Sequence, residues 1–288
     1  QIKKALGISG VITSQSNWIV PGSENEAGMQ IDLLINRNDN IVNMCEMAIR
    51  RGLSELAITD HMDIYSDKDY NYILDCENLY NELKAAKAEY AGRLKVVMGA
   101  EFGQPQVNEQ AAYYFIQDYP VDFIIGSIHN LWDDRDVCDY NFKEIDYHII
   151  YDVYVDWLYK LASKYDYDVL GHVTYPSRYI FAQIGIAVDI KQYAEQYETI
   201  FKKAIERGKG IELNVSGLAR NSGETMPDMY LLKMYRSLGG EIITVGSDAH
   251  VLNQIGIATR QGYKLLREAG FQYVTTYEGR KPSFISIE

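Results

Sequence analysis

The sequence predicts an α/β fold in which seven β/α units close as a barrel, and three observations point to it. Short runs rich in β-branched and aliphatic residues alternate with longer stretches of helical period from residue 30 to the end. Five of those runs stop at a side chain able to bind metal: Thr59-Asp60-His61, Gly99-Ala100-Glu101, Gly126-Ser127-Ile128-His129, Gly171-His172 and Ser247-Asp248-Ala249-His250. No Pro-, Gly- or Ser-rich linker cuts the series.

Residues 1–29 are expected to form an irregular arm, because their Ser, Asn, Gly and Glu follow little period, and 30–288 to form one barrel domain. Strands are expected at 30–36, 55–60, 94–98, 121–126, 168–172, 210–215 and 241–246. Apolar residues recur at i, i+3, i+4 and i+7 near 40–51, 74–91, 108–117, 145–164, 190–206, 227–238 and 256–268, which predicts a helix after each strand. Strands joined by helices run parallel, and right-handed crossovers curl them round. His148 belongs to one of these helices, with Ile149, Val153, Trp157 and Leu161 at amphipathic spacing, and is assigned to structure rather than to a metal. The 24 tyrosines are assigned to the outer barrel wall, and Asp133-Asp134-Arg135-Asp136 to a solvated loop.

With 288 residues and 47% hydrophobic content the chain can bury a large core, and a single barrel is the economical arrangement. Forty acidic against twenty-eight basic residues give a net charge of −12, which repels a phosphate backbone and argues against nucleic acid as a partner. A small anion remains compatible, since a local cation cluster overrules the global field. Cys45, Cys76 and Cys138 share no C-x-x-C spacing, so no disulfide frame is expected. The first thirty residues hold neither an apolar span of membrane length nor a secretory pattern. A cytoplasmic location without a membrane partner is expected, and the sequence sets no oligomeric state.

Barrel chemistry collects at the C-terminal ends of the strands. His61, Glu101, His129, His172, Asp248 and His250 all fall on that edge, and four of the chain's five histidines are among them. Mixed imidazole and carboxylate donors suit Zn, Mn or Fe better than Ca or Mg. Glu101 is expected to bridge two ions, because its two oxygens can each face one.

These motifs resemble those of the polymerase and histidinol phosphatase (PHP) superfamily over roughly residues 30–288. The stretch Glu212-Leu213-Asn214-Val215-Ser216-Gly217-Leu218, the pair Arg178-Tyr179 and the closing Arg280-Lys281-Pro282 resemble its histidinol-phosphatase branch more narrowly. The resemblance implies a distorted (β/α)7 barrel of the PHP type holding up to three divalent ions, which bind a phosphate monoester and activate water. It implies hydrolysis of L-histidinol phosphate to L-histidinol and phosphate, a step of histidine biosynthesis. Glu101, His129 and His172 would then hold one ion, His61 and His250 another, and Asp248 a third. Asp248, His250 and Arg178 are the expected catalytic residues. Arg178 and Arg220 are expected to bind the phosphate, since guanidinium makes bidentate contacts with it.

The family's first-strand motif, Asp-x-His-x-His, reads Asp32, Leu34 and Asn36 here, and no histidine precedes His61. Leucine cannot ligate and asparagine offers only a neutral oxygen, so one or two ions are expected and three at most. Three outcomes are compatible with that substitution: a hydrolase with a reduced centre, a metal- or phosphate-binding relative without turnover, or an enzyme whose first segment has been altered.

Overall fold

The computed structural model describes residues 37–65, 76–118, 120–219 and 223–287. The arm at 1–29, the first-strand run at 30–36 and Arg220 lie outside them.

In chain order the elements are α1 (Arg37–Arg50), β1 (Glu55–Asp63), α2 (Cys76–Glu89), β2 (Lys95–Gly103), α3 (Glu109–Asp118), β3 (Phe123–Ser127), α4 (Tyr147–Lys164), β4 (Val169–Leu170), α5 (Tyr175–Ile184), α6 (Ala194–Glu206), β5 (Gly210–Asn214), α7 (Met229–Ser237), β6 (Ile243–Gly246), α8 (Thr259–Glu268), β7 (Tyr273–Glu278) and β8 (Lys281–Ser286). Strands β1 to β6 form one parallel sheet in sequential order, curled into a half-barrel. This order follows from the β/α alternation, because each helix returns the chain to the same end of the sheet.

Strand parity decides what each face does. Val97, Phe123, Ile125 and Val169 pack together with Tyr277 on the concave side. Ala100, Phe102, Ile124, Leu170, Ile211, Leu213 and Ile243 point the other way into the main core, against the helices. The buried tyrosines Tyr151, Tyr154, Tyr197 and Tyr235 lie in that same outer layer. Because both faces are covered, β3 and β5 are buried along their whole length; β3 reads as an apolar run, whereas β5 also carries the buried polar side chains of Glu212 and Asn214. Emptying a position such as Phe102, which is fully buried, costs about 3–5 kcal/mol in typical cores. Strands β1 and β6 are the edges of the described sheet and are less buried.

The helices start where side chains satisfy their free N–H groups. Asp146 caps α4 by accepting from His148 N, and Asp228 caps α7 by accepting from Leu231 N.

Four features depart from the sequence expectation. The run at 168–172 supplies only the two-residue β4, because His172 takes φ 21 and leaves the extended region. Residues 175–184 form a helix where none was expected, with Pro176 in its first turn, a position that prearranges the helical backbone. The strands β7 and β8 pair as an antiparallel hairpin whose turn, Gly279 and Arg280, takes left-handed backbone at both residues. Asp136 is not solvated but buried, accepting from Cys138 N and the Tyr175 hydroxyl.

Candidate metal centre

At the C-terminal edge of the sheet, His61 on β1 sits in register beside Glu101 on β2. Glu101 Oε1 lies 3.0 Å from His129 Nε2 and 2.8 Å from His172 Nε2, and the two Nε2 atoms are 3.1 Å apart. The Ser127 hydroxyl donates to the same oxygen at 2.8 Å. The other carboxylate oxygen, Oε2, faces His61 Nε2 at 3.9 Å. All three members of the tight cluster are buried.

Nothing apolar separates these donors, and their spacing fits an ion. Zinc–nitrogen bonds of about 2.0–2.1 Å place neighbouring ligands of a tetrahedron roughly 3.3 Å apart. A buried carboxylate and two imidazoles drawn to within 3.1 Å of one another are close to that arrangement. His172 Nδ1 has no hydrogen-bond partner among the described residues, so this ring's interactions lie on the Nε2 side.

The ion-free electrostatics run the same way. Burial works to raise the Glu101 pKa, but His61 and His129 hold it well below the carboxylate range. Burial works to lower the His129 pKa, and Asp63 and Glu101 drive it well above the usual imidazole value. His61 is likewise raised against burial, by Glu101 and Asp63. A proton occupies lone pairs that a divalent ion would take, which is the usual exchange at a metal site.

Asp63, at the end of β1, was not among the expected site residues. Its Oδ1 is 2.9 Å from His129 Nδ1 and its Oδ2 is 3.1 Å from His61 Nδ1. Groups with metal-ligand spacing among the described residues are His61, Asp63 and His129, and Glu101, His129 and His172. The signal was present in the sequence, since alternation along a strand puts residues 61 and 63 on one face. Glu212 on β5 was quoted only as part of a motif. It is buried, accepts from His172 N at 3.0 Å, and burial pushes its pKa up to about 8.

Asp248 and His250 form a separate group after β6. His250 Nδ1 is 2.9 Å from the Asp248 carbonyl and 3.5 Å from its carboxylate, and His250 N donates to Gln254 Oε1. Neither residue belongs to the two three-donor groups. Asp248 nevertheless lines the same cavity, of about 800 Å³, as Glu101, His172 and Glu212. It takes left-handed backbone, φ 46, a strain that clusters at functional sites. Burial would raise its pKa, yet His250 and Arg178 keep it well below the ordinary range. Arg178, on α5 rather than a loop, donates to Asp248 Oδ2 at 3.3 Å and to the Ser216 hydroxyl. Arg280 is at the opposite end of the sheet, where it donates to Asp168 and Asp166. His148 faces the Tyr193 hydroxyl at 3.3 Å, away from these groups.

A buried carboxylate and imidazoles from successive parallel strands, converging at the C-terminal edge of a curled sheet, define a metal-dependent β/α-barrel hydrolase class. A family model described as PHP domain matches residues 34–216, well over half of the chain, and the chain belongs to that family. Within it, the chain is 25% identical over 240 residues to the histidinol-phosphatase of Lactococcus lactis subsp. lactis, covering 81% of this chain and 87% of that protein. A relative from Thermotoga maritima named "Probable histidinol-phosphatase" is 31% identical over 121 residues, 42% of this chain and 48% of that one. The crystal structure of the Lactococcus lactis histidinol phosphate phosphatase, complexed with zinc, L-histidinol and phosphate, shares the fold at a TM-score of 0.70 and 23% identity. That match covers 84% of this chain and 92% of the other.

Proposed function

We propose that this chain hydrolyses a small phosphate monoester, L-histidinol phosphate, to L-histidinol and inorganic phosphate, as a step of histidine biosynthesis in the cytoplasm. The observation that carries the reading is the convergence of Glu101, His129 and His172 within 3.1 Å of one another at the catalytic edge of the barrel. The name borne by the relatives supports the substrate. Among the described residues no helix is long and apolar enough to cross a membrane.

Glu101, His129 and His172 would hold one ion of the Zn, Mn or Fe type. His61 with Glu101 Oε2 would serve a neighbour, to which Asp248 and His250 could add. When bound, such ions supply a water of lowered pKa and positive charge opposite the phosphate oxygens. Arg178 would bind the phosphate in a bidentate manner, exchanging its contacts with Asp248 and Ser216 for contacts with phosphate oxygens. Arg220 would add a second cation. The ionised Asp248 could then accept a hydrogen bond from the attacking water and orient it. Hydrolysis breaks the ester P–O bond, so the alcohol oxygen leaves with one proton of the water.

Phosphate release from L-histidinol phosphate by purified chain supplied with Mn or Zn tests this, alongside a count of bound metal. Turnover that disappears with a chelator and returns with metal is expected. Bound metal without phosphate release would instead favour a binding protein, the outcome that Leu34 and Asn36 make worth testing.

A further inference from the structure

His61 lies on β1 and His129 follows β3, yet both turn Nδ1 toward a single carboxylate. His129 Nδ1 is 2.9 Å from Asp63 Oδ1 in a hydrogen bond, and His61 Nδ1 is 3.1 Å from Asp63 Oδ2, within reach though not in hydrogen-bond alignment in this structure. Both also turn Nε2 toward a second carboxylate, His129 to Glu101 Oε1 and His61 to Glu101 Oε2. The two rings therefore lie between two carboxylates, each taking one oxygen of each.

Asp63 is tied in place by its neighbours. Gln104, fully buried and held in left-handed backbone at φ 37, donates from Nε2 to Asp63 Oδ1 at 3.0 Å. Its Oε1 accepts the backbone N–H groups of His129 and Asn130, so one amide ties Asp63 to the chain that carries His129. Gly103 lets the carboxylate approach: a Cβ there would lie 1.8 Å from Asp63 Oδ1 and 3.3 Å from His129 Nδ1. A residue of β2 thus leaves space for a residue of β1 to reach a histidine that follows β3.

We propose that Asp63 is a positioning residue that holds both His61 and His129 as Nδ1–H tautomers, so that both Nε2 lone pairs face the two oxygens of Glu101. An imidazole that ligates through one nitrogen characteristically donates its other N–H to a carboxylate or carbonyl, which fixes ring and tautomer. Here one outer carboxylate does this for two histidines that face different oxygens of the bridging residue. Asp63 itself is poorly placed as a ligand, because Gln104 Nε2 and His129 Nδ1 already use its Oδ1 and His61 Nδ1 faces its Oδ2. The inference rests on the metal centre proposed above.

Asp63→Asn separates the alternatives, since the amide matches the carboxylate in shape but offers one acceptor and one donor. One histidine keeps an acceptor for its Nδ1–H. The other meets the amide N–H and must carry its proton on Nε2, the atom that should ligate. Zinc competition against a chromophoric chelator is expected to show affinity reduced about 10- to 100-fold. Nitrogen-15 NMR of the imidazoles in the zinc-loaded protein is expected to show Nδ1–H for both rings in the wild type, and one of them altered in the variant. Gly103→Ala, which crowds the same carboxylate oxygen, should lower affinity in the same direction, and it decides the matter if Asp63→Asn does not fold.

Equal zinc affinity and unchanged tautomers in the variants would overturn the proposal. Zinc bound through Nδ1 in the wild type would overturn it too. A wild type that binds zinc, loses affinity on Asp63→Asn, yet releases no phosphate would leave this proposal standing and remove the hydrolase reading.

Discussion

Where β2, β3 and β4 end, Glu101, His129 and His172 have side chains 8%, 3% and 6% exposed and each touches the other two. Where β6 ends, Asp248 and His250 are 14% and 23% exposed, and Asp248 shares an ion pair with Arg178. The first group lies between fully buried strands that fix every donor before a ligand arrives. The second lies at an edge of the described sheet, where Arg178 pairs with Asp248. On the proposed reading this difference divides the labour: the inner group would hold an ion, and the outer would bind the anion, handle protons and add ligands to a second ion.

Removing the shared carboxylate should separate the two halves most strongly. Glu101→Gln is expected to lower metal affinity about 100-fold or more, beyond the 10- to 100-fold loss of a group that only supports a ligand. Inductively coupled plasma analysis after dialysis would register it. A variant that retains full metal would show that the inner group is only a hydrogen-bonded cluster.

A gain of function would sharpen the contrast from the other side. Leu34→His with Asn36→His supplies the imidazoles that the family motif carries. If the metal centre lacks only those ligands, phosphate release should rise by orders of magnitude and metal stoichiometry should increase. No change in either would mean that the missing component is elsewhere.

Arg178→Ala should act on the anion side alone. Hydrogen bonds to charged groups are worth about 1.5–3 kcal/mol, so kcat/KM should fall roughly 10- to 100-fold with metal content intact. Loss of metal in this variant would contradict the division.

The smallest expected effect lies at the other end of the sheet. Burial would raise the pKa of Asp122, but the Lys87 ammonium at 2.7 Å and the N–H groups of Gly279 and Met98 hold it below its ordinary value. A carboxylate lowered in the folded state stabilises above its unfolded pKa, about 3.9, and that stability is lost as pH falls through the lowered value. Asp122→Asn should therefore cost on the order of 1 kcal/mol at neutral pH. The difference should vanish in acid-unfolding titrations, with metal binding unaffected.

Much of this was legible in the sequence. The six strands of the parallel sheet fall on predicted runs, most plainly β3, which is buried on both faces and leaves an apolar stretch. The hairpin of β7 and β8 was not, because β8 is exposed throughout and carries no such run. Helix α5 was missed because it is short and starts only three residues after His172, between the runs read as strand 168–172 and helix 190–206. Asp63 escaped notice because the strand was expected to stop at residue 60, whereas pairing with β2 carries it three residues further. Gln104 left no trace at all, since a buried glutamine that ties two chain segments has no characteristic spacing. Asp136 misled because a cluster of acidic residues reads as solvated, while this one reaches inward to Tyr175.

Diffraction from crystals of the zinc-loaded protein, recorded across the zinc absorption edge, tests the central claim most directly. An anomalous peak contacted by Glu101, His129 Nε2 and His172 Nε2 is the expected result. Zinc bound only beside Asp248 and His250, or no peak at the inner group at saturating zinc, would contradict it.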